Sequence, residues 1–271
     1  MRVTSRNARF QQWAALLDNR AKRQRSGEFI VQGVRPITLA LRNGWPIRVL
    51  LYNADAEASR WARETLAAVA ATKIAVSADL MRELGEKDEG APELLAVAEL
   101  PTDDLARIPV GPAMLVVVAD RPASPGNLGT VIRSADAFGA SGVIVTGHAA
   151  DPYDPRSVRA STGSLFSLPV VRVASHRPVL DWVAAIRNGG VGVRLVGTDE
   201  HGGLDVTGVD FTRPTLLLVG NETAGLSAAW REACDELARI PMLGTASSLN
   251  AAMAASIALY ESARQRITAW A

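Results

Sequence analysis

The sequence contains little from which a disulfide framework or a metal site could be built. Cys234 is the only cysteine among 271 residues, and the three histidines lie far apart, at positions 148, 176 and 201. A single cysteine excludes a disulfide framework and a cysteine-based zinc centre, and the histidines lack the spacing of metal ligands. We therefore expect no metal ion.

Long apolar runs are also missing. No stretch approaches the roughly 20 apolar residues of a membrane span, and the start of the chain lacks the basic and apolar regions of a signal peptide. Apolar residues still make up 48% of the composition, which is typical of a folded protein. We expect a cytoplasmic protein with no membrane contact, built from two domains or one large one.

The net positive charge is small, but basic residues outnumber acidic ones at the start of the chain. The net charge is only +1, yet residues 1–25 hold seven basic residues against one acid, with Phe10 and Trp13 interleaved. This pattern is typical of an arm that binds nucleic acid. The alternative is a solvated surface whose aromatic side chains anchor it to the body of the protein. The candidate RNA-binding residues are Arg6, Arg9, Arg20, Lys22, Arg23 and Arg25.

The next hundred residues alternate between short strands and amphipathic helices. Apolar periodicity and turn residues predict strands at 28–32, 47–52, 73–76 and 94–98, with helices at 34–42, 56–70 and 78–84. The segment 101–112 holds three prolines and little periodicity, which predicts a linker. We therefore expect a basic arm at 1–25, a small α/β domain at 26–106 and a larger domain at 113–271.

The larger domain contains near-continuous apolar runs, which are typical of parallel strands covered on both faces. These runs lie at 114–119, 143–146, 193–197 and 216–219. In an open parallel sheet, ligands bind outside the carboxyl ends of the strands. The loops that follow the runs are therefore where we expect the functional site.

Three loops of this domain carry candidate functional residues. The first holds Asn127, placed to cap a helix, and Arg133 six residues later, although both are ordinary in such positions. In the second, Glu222 lies in a glycine-containing loop and could bind a polar substrate or stabilise the positive end of the next helix. In the third, Ser247 or Ser248 would be an ordinary N-cap of an alanine-rich helix.

Taken in order, the three loops resemble the motifs of the SpoU (TrmH) family of RNA 2′-O-ribose methyltransferases. The similarity covers about residues 113–266 and includes the connecting stretch 159–169, and the first domain is similar to the L30e-like RNA-binding domain of many members. The matching patterns are Asn127-x-Gly129 with Arg133, Gly220-Asn221-Glu222-x-x-Gly225, and Ile240-Pro241-Met242 with Ser248-Leu249-Asn250.

The resemblance implies an α/β fold in which a parallel-sheet SPOUT domain has its C-terminal part threaded as a trefoil knot. It also implies a homodimer whose active site is completed across the interface, and S-adenosylmethionine as the cofactor. Arg133 would contact the target phosphate and help to deprotonate the 2′-hydroxyl. Because the reference pKa of an arginine side chain lies far above neutral pH, which makes it a poor general base, Arg133 could instead hold the phosphate and stabilise developing oxyanion charge. The implied cofactor contacts are Thr198, Gly220, Ile240, Met242 and Leu249.

The remaining catalytic residues implied by the resemblance are polar. Asn127 and Glu222 would position Arg133 and the substrate ribose, while Ser248 and Asn250 would hydrogen-bond the catalytic groups or the ribose. With the stretches 4–13 (TSRNARFQQW) and 197–202 (GTDEHG), the sequence also resembles a branch of the family that methylates a uridine of large-subunit (23S) ribosomal RNA and confers resistance to an avilamycin-type antibiotic.

Three alternatives stay open at this point. A tRNA ribose methyltransferase would carry the same motifs, so only a substrate test separates it from an rRNA enzyme. A non-catalytic RNA-binding module would not need Asn127, Arg133, Glu222 and Asn250 together. A dinucleotide-dependent oxidoreductase would need a G-x-G-x-x-G fingerprint, which the sequence lacks.

Overall fold

The computed structural model describes residues 2–86, 90–246 and 248–270, and the chain forms two compact units. The first unit comprises residues 1–101 together with 153–167, and the second comprises 102–152 and 168–271. A short segment from within the predicted domain 113–271 therefore folds with the first unit. None of the helices in the described ranges is both long and apolar enough to cross a membrane.

A five-stranded sheet with helices on it forms most of the first unit. The strand order is β1-β4-β3-β5-β2, with β5 antiparallel to both its neighbours and β1, β4 and β3 parallel. The elements are β1 Arg2–Val3, α1 Ala8–Asp18, α2 Arg20–Ser26, β2 Glu28–Gln32, α3 Val34–Arg42, β3 Ile47–Asn53, α4 Arg60–Ala68, β4 Thr72–Val76, α5 Ala78–Leu84 and β5 Leu94–Glu99. The predicted order of strands and helices is thus confirmed. Helix α4 begins later than predicted because the Ser59 side chain caps it by accepting from the backbone N–H of Ala62.

The predicted arm at 1–25 is wrong, because this segment is part of the folded unit. Strand β1 pairs with β4, and α1 buries its apolar face in the core below the sheet. Phe10 is 0% exposed and Trp13 is 5% exposed, so neither can stack on an RNA base. Arg23 is only 2% exposed and donates to the carbonyl oxygens of Leu16 and Leu17 at the end of α1. Its guanidinium therefore has a structural role, and its prediction as an RNA contact is also wrong.

The second unit contains a seven-stranded sheet in which every strand pair is parallel. The strand order is β10-β12-β9-β11-β6-β7-β8. The remaining elements of the chain are β6 Leu115–Asp120, α6 Pro125–Ala137, β7 Gly142–Thr146, α7 Pro155–Ala160, β8 Val170–Val173, α8 Arg177–Asn188, β9 Arg194–Thr198, β10 Leu204–Asp205, β11 Thr215–Val219, α9 Ala228–Ala233, β12 Glu236–Arg239 and α10 Ala251–Trp270.

The four apolar runs of the sequence form strands β6, β7, β9 and β11, which lie in the middle of this sheet. The sequence did not indicate β8, β10 and β12, which are short, partly exposed and at or near the edges. Strand order does not determine whether the chain threads through a loop, so the trefoil knot stays a prediction.

The predicted linker 101–112 is anchored on the second unit. It contains a short 3-10 helix at Leu105–Arg107, and the following Ile108 is 2% exposed in the core of the parallel sheet. The Ile108 side chain lies 3.1 Å from the position of an ideal Cβ on Gly142, at the start of β7. The boundary between the two units falls at Pro101, at the start of this segment.

Residues 153–167 complete the core of the first unit. The Phe166 ring lies 5.0 Å from the ring of Trp45, and the Trp45 indole N–H donates to the Phe166 carbonyl oxygen. Gly163 has a φ of +100°, and a Cβ there would lie 2.6 Å from a methyl carbon of Leu39 on α3. Helix α3 can approach the segment this closely only because residue 163 is glycine.

This close approach predicts the effect of Gly163→Ala. The substitution should lower the free energy of unfolding by roughly 2–4 kcal/mol, through backbone strain at positive φ and overpacking against Leu39. The matched control is Gly190→Ala, because Gly190 has a φ of +89° and no described atom lies within 4 Å of its Cβ position. The control should lose only the strain component, about 1–2 kcal/mol. Urea unfolding measures both values, and equal losses would contradict the packing of α3 on this segment.

Candidate functional site

The candidate site is formed by loops at the carboxyl ends of four adjacent strands of the second unit. The loops follow β12, β9, β11 and β6, which are neighbours in that order. Three of them, after β9, β11 and β12, surround a cavity of about 390 Å³ together with the start of α10. This volume is within the range of roughly 300–1,000 Å³ that small-molecule sites have.

Glu222, in the loop after β11, binds the beginning of α6. Its carboxylate accepts hydrogen bonds from the backbone N–H groups of Ala123 and Ser124, at 2.9 and 3.1 Å, and from the Asn127 side-chain amide at 2.9 Å. The carboxylate therefore lies at the positive end of α6, and not at the next helix, α9, which was the alternative.

These hydrogen bonds also determine the protonation state of Glu222. Partial burial by itself would raise the pKa of the carboxyl group, but the bonds from Ala123, Asn127 and Ser124 outweigh burial and hold the pKa below its usual value. Glu222 is therefore a carboxylate at neutral pH and can only accept hydrogen bonds.

A second bond connects Asn127 to the start of α10. The Asn250 side-chain N–H donates to the Asn127 side-chain oxygen at 3.2 Å, while the Asn250 oxygen accepts from the backbone N–H groups of Ala252 and Met253. Glu222, Asn127 and Asn250 therefore form one chain of hydrogen bonds through all three motif loops. Each amide has its oxygen towards a donor and its nitrogen towards an acceptor.

This chain of bonds corrects two predicted helix caps. Asn127 does not cap α6, because the Ser124 hydroxyl accepts from the Asn127 backbone N–H and Pro125 occupies the first helical position. Asn250 occupies the cap position of α10, so Ser248 is not its cap, and Ser247 lies outside the described residues. Ser248 lines the cavity but makes no hydrogen bond to Asn127 or Glu222 among the described residues.

Arg133 lies on the exposed side of α6, two turns after its start. Within the described part of the chain, no hydrogen bond or ion pair holds its guanidinium. Asn127 and Glu222 bond to each other and, among the described residues, not to Arg133, so their role in positioning Arg133 stays a prediction. The exposed guanidinium can instead meet an anion that approaches from solvent.

All five residues predicted to contact the cofactor line the cavity. Gly220 permits an unusually close backbone approach, because a Cβ there would lie 2.3 Å from the Gly225 carbonyl carbon. Thr198 donates its hydroxyl to the Leu218 carbonyl oxygen at 3.1 Å and so joins β9 to β11 beside the cavity. The five residues are Thr198, Gly220, Ile240, Met242 and Leu249.

The charged residues at the rim of the cavity were not among the predicted site residues. Asp199 forms an ion pair with Arg231 at 2.5 Å and accepts from the His201 backbone N–H. These residues and Glu200 line the cavity. A signal was available, because Asp199 and Glu200 directly follow β9, at the strand end where ligands bind in parallel sheets. In the part of the chain that the structure describes, no three His, Cys, Asp or Glu side chains are arranged so that they could hold a metal ion.

The candidate RNA-binding residues belong to the first unit and not to the cavity. Arg6 is exposed and forms an ion pair with Glu83. Arg9 and Arg25 are exposed, and Arg20 and Lys22 are half-buried. Of the six candidate residues, only Arg23 is therefore buried, and the other five form the basic surface of the first unit.

Both units match known protein families. The family model described as the SpoU L30e-like domain matches residues 7–96, and that of the SpoU rRNA Methylase family matches residues 114–260. The chain is 64% identical over 267 residues to the 23S rRNA (uridine(2479)-2′-O)-methyltransferase of Streptomyces viridochromogenes, a match that covers 98% of this chain and 93% of the relative.

Solved structures are similar over the same length. The crystal structure of the SpoU methyltransferase AviRb from Streptomyces viridochromogenes in complex with AdoMet has a TM-score of 0.94 at 64% identity, covering 97% of this chain and 99% of that one. The AdoMet-bound rRNA methyltransferase from Sinorhizobium meliloti has a TM-score of 0.86 at 33% identity, covering 97% of each chain. Because both units have their own matching family model and close similarity extends over nearly the whole length, the chain belongs to the SpoU rRNA methylase family.

Proposed function

We propose that this protein transfers a methyl group from S-adenosylmethionine to the ribose 2′-hydroxyl of a uridine in large-subunit (23S) ribosomal RNA. The observation that carries the proposal is the chain of hydrogen bonds from Glu222 through Asn127 to Asn250, which joins the three motif loops beside the cavity. The 64% identical relative named for this reaction supports the choice of substrate.

The residues around the cavity fit S-adenosylmethionine. This cofactor has cationic sulfonium and ammonium groups, a carboxylate, ribose hydroxyls and a flat adenine ring. The cavity provides carboxylates on Glu200 and Glu222 for cations, a guanidinium on Arg231 for an anion, and apolar surface on Ile240 and Leu249. When bound, the cofactor supplies a methyl group that is already activated, so the protein's task is alignment and removal of a proton.

Arg133 is the residue that we assign to the RNA substrate at this site. It is exposed on the helix whose start is bonded to Glu222, and its planar guanidinium suits a phosphate of the target nucleotide. A positive charge near the 2′-oxygen also stabilises the negative charge that develops as the proton leaves. We assign Arg133 the phosphate contact and oxyanion stabilisation, because a guanidinium is a cation that presents several N–H donors and no acceptor.

The hydrogen-bonded chain positions the other groups. Glu222 holds the start of α6 through its hydrogen bonds with Ser124 and Asn127. Asn127 in turn accepts a hydrogen bond from Asn250, which holds the start of α10 beside it. Ser248 and Leu249 lie directly before Asn250 on the cavity wall. The cofactor-binding loop and the helix that carries Arg133 are therefore held in one arrangement before the substrates bind.

We further propose that the protein acts as a homodimer. Apolar side chains on α10 are exposed at helical spacing, and α6 runs beside this helix, joined to it by a hydrogen bond of 2.7 Å between the hydroxyls of Ser134 and Ser256. A second copy that covers this face would bury an apolar surface that is otherwise in contact with water. The large apolar residues of α10 that are exposed, among those whose burial the structure describes, are Met253, Ile257, Tyr260 and Ile267.

The basic surface of the first unit is proposed to bind RNA phosphates. Lys22 and Arg25 on α2, with Arg6, Arg9 and Arg20 nearby in the sequence, provide positive charge outside the catalytic unit. The resemblance to an antibiotic-resistance branch supports a protective role of the methylation against an avilamycin-type drug, and a ribosomal substrate supports a cytoplasmic location.

The test of the proposed reaction incubates the purified protein with labelled S-adenosylmethionine and either 23S rRNA, large subunits or tRNA. Resistance to alkaline cleavage and primer-extension stops then map the modified nucleotide. The expected result is one 2′-O-methylated uridine in 23S rRNA. Transfer to tRNA alone would establish the tRNA alternative, and no transfer to any RNA would refute methyltransferase activity.

Arg133→Ala should abolish methyl transfer while leaving cofactor affinity unchanged, because Arg133 lies outside the cavity and, among the described residues, makes no hydrogen bond or ion pair with the cofactor loop. Calorimetric titration with S-adenosylmethionine provides the internal control, and the same samples are assayed with 23S rRNA. A turnover rate equal to that of the wild type would refute the assignment of Arg133 to the substrate.

Glu222→Gln should destabilise the protein at neutral pH and have little effect at acidic pH. The folded pKa of Glu222 is lower than its ordinary value of 4.5, so its stabilising effect is complete above that pH and is lost as the pH falls through the folded pKa. Urea unfolding at pH 7 and near pH 3 measures the difference between wild type and variant. The control Glu64→Gln removes only a surface pair with Arg60 and should have a small effect at both values. A constant difference for Glu222→Gln at both pH values would contradict the carboxylate assignment.

Replacing both Lys22 and Arg25 with Ala should weaken rRNA binding and reduce the slope of log K against log salt. Each lost phosphate contact lowers that slope by roughly 0.7–0.9. The control variant Arg60→Ala removes an exposed arginine of the same unit that is paired with Glu64. Filter binding at several salt concentrations measures the slopes, and an unchanged slope would exclude the basic surface of α2 from RNA contact.

A further inference from the structure

Arg121 has an unusual backbone conformation. It is the first residue after β6, and its φ is +52°, in the left-handed region that favours glycine. A residue with a Cβ is disfavoured there, because the Cβ lies too close to the following carbonyl oxygen. Its N–H still donates to the Thr146 carbonyl oxygen at 3.0 Å, so the left-handed turn directly follows the hydrogen-bond ladder between β6 and β7. A strained backbone with a long cationic side chain points to a role for that side chain.

The Arg121 guanidinium bridges β6 and the loop after β11. Its Nε and Nη2 atoms donate to the Asp120 carboxylate at 3.2 and 3.1 Å, and Nη2 also donates to the Gly225 carbonyl oxygen at 3.2 Å. The aliphatic stem lies over Gly147, where a Cβ would be 2.8 Å from Arg121 Cγ. Packing on Gly147 and two acceptors restrict the side chain to one direction.

Asp120 and the Arg121 backbone hold the same loop at two further points. Asp120 is 3% exposed and accepts from the Ser227 backbone N–H at 2.8 Å. The Asn221 side-chain N–H donates to the Arg121 carbonyl oxygen at 2.7 Å. The loop 220–227 is therefore attached to residues 120 and 121 near its beginning, at Gly225 and at its end. Residues 220–225 line the cofactor cavity, whereas Arg121 does not.

We propose that Arg121 is a positioning residue that sets the conformation of the cofactor loop 220–227 and so determines the affinity for S-adenosylmethionine. The inference rests on the proposed function for the identity of the cofactor. The guanidinium donates to the Asp120 carboxylate through Nε and Nη2 and to the Gly225 carbonyl oxygen through Nη2, and its positive charge strengthens these bonds. Without it, the Gly225 end of the loop loses its charge-assisted bond, and the cofactor must order the loop on binding.

The experiment compares Arg121→Ala, Arg121→Gly and Arg121→Lys by calorimetric titration with S-adenosylmethionine, by thermal unfolding and by rRNA methylation kinetics. Arg121→Ala keeps the backbone strain and removes the guanidinium, and it should bind the cofactor about tenfold more weakly. The KM for S-adenosylmethionine should rise by a similar factor while the KM for rRNA stays unchanged. Arg121→Lys should restore part of the affinity, because it keeps one charged donor.

Arg121→Gly separates positioning from stability. It removes both the strain and the guanidinium, so it should unfold at a higher temperature than Arg121→Ala and yet bind the cofactor no better. The matched control is Arg187→Ala, because Arg187 likewise donates to one carboxylate, Asp235, and to one carbonyl oxygen, of Val193, away from the cavity. The control should leave cofactor affinity unchanged.

Two results would overturn the inference. The first is that Arg121→Ala binds the cofactor with wild-type affinity. The second is that Arg121→Gly is both more stable than Arg121→Ala and binds the cofactor more tightly than that variant. Failure of the proposed function has a different signature. If the wild-type protein binds S-adenosylmethionine and methylates no RNA, the proposed reaction is wrong, while a tenfold loss of binding in Arg121→Ala would still support the positioning role. If the wild-type protein does not bind S-adenosylmethionine, both are wrong.

Discussion

The arrangement of the site depends on one interaction, the carboxylate of Glu222 at the start of α6. Three donors converge on it, two of them backbone N–H groups that the helix itself cannot satisfy. The charge is stabilised by these donors and by the helix dipole, and it joins a loop after β11 to a helix after β6. Asn127, which donates to Glu222, also accepts a hydrogen bond from Asn250, the residue that caps α10. Loss of this one charge would therefore loosen three loops together.

The parallel sheet makes this convergence possible. Strands β9, β11 and β6 are neighbours, so the loops at their carboxyl ends meet although long stretches of chain separate them. Helix α10 is fixed at its other end by Arg266, which is buried and donates to backbone carbonyl oxygens of Phe211, Met114 and Arg213. Desolvation lowers the pKa of Arg266, and the carbonyl oxygens compensate for part of its lost hydration. The helix that carries Asn250 at its start is therefore held at both ends.

The core of the first unit depends on residues that are distant from it in the sequence. Its sheet is local in sequence, but its core is completed by Phe166 and its neighbours from residues 153–167. Arg23 is buried for a similar reason, because its guanidinium has the carbonyl oxygens at the end of α1 and the carboxylate of Asp154 within 4.0 Å. A basic residue in a charged stretch of sequence thus became part of the interior.

The sequence by itself determined the local elements and the identity of the site loops. Amphipathic periodicity predicted α3 and α5, and continuous apolar runs predicted the central strands β6, β7 and β11. The motif resemblance selected five cofactor residues, all of which line the cavity. These features are local, because the period of a helix and the burial of a central strand are expressed within a few residues. Only the tertiary structure decided that Ser124 and Asn250 cap α6 and α10, that Glu222 binds the start of α6, and that Phe10, Trp13 and Arg23 are buried. Each of these depends on a donor, an acceptor or a packing partner that strand order and chain folding bring into contact, and side-chain type alone does not specify that partner.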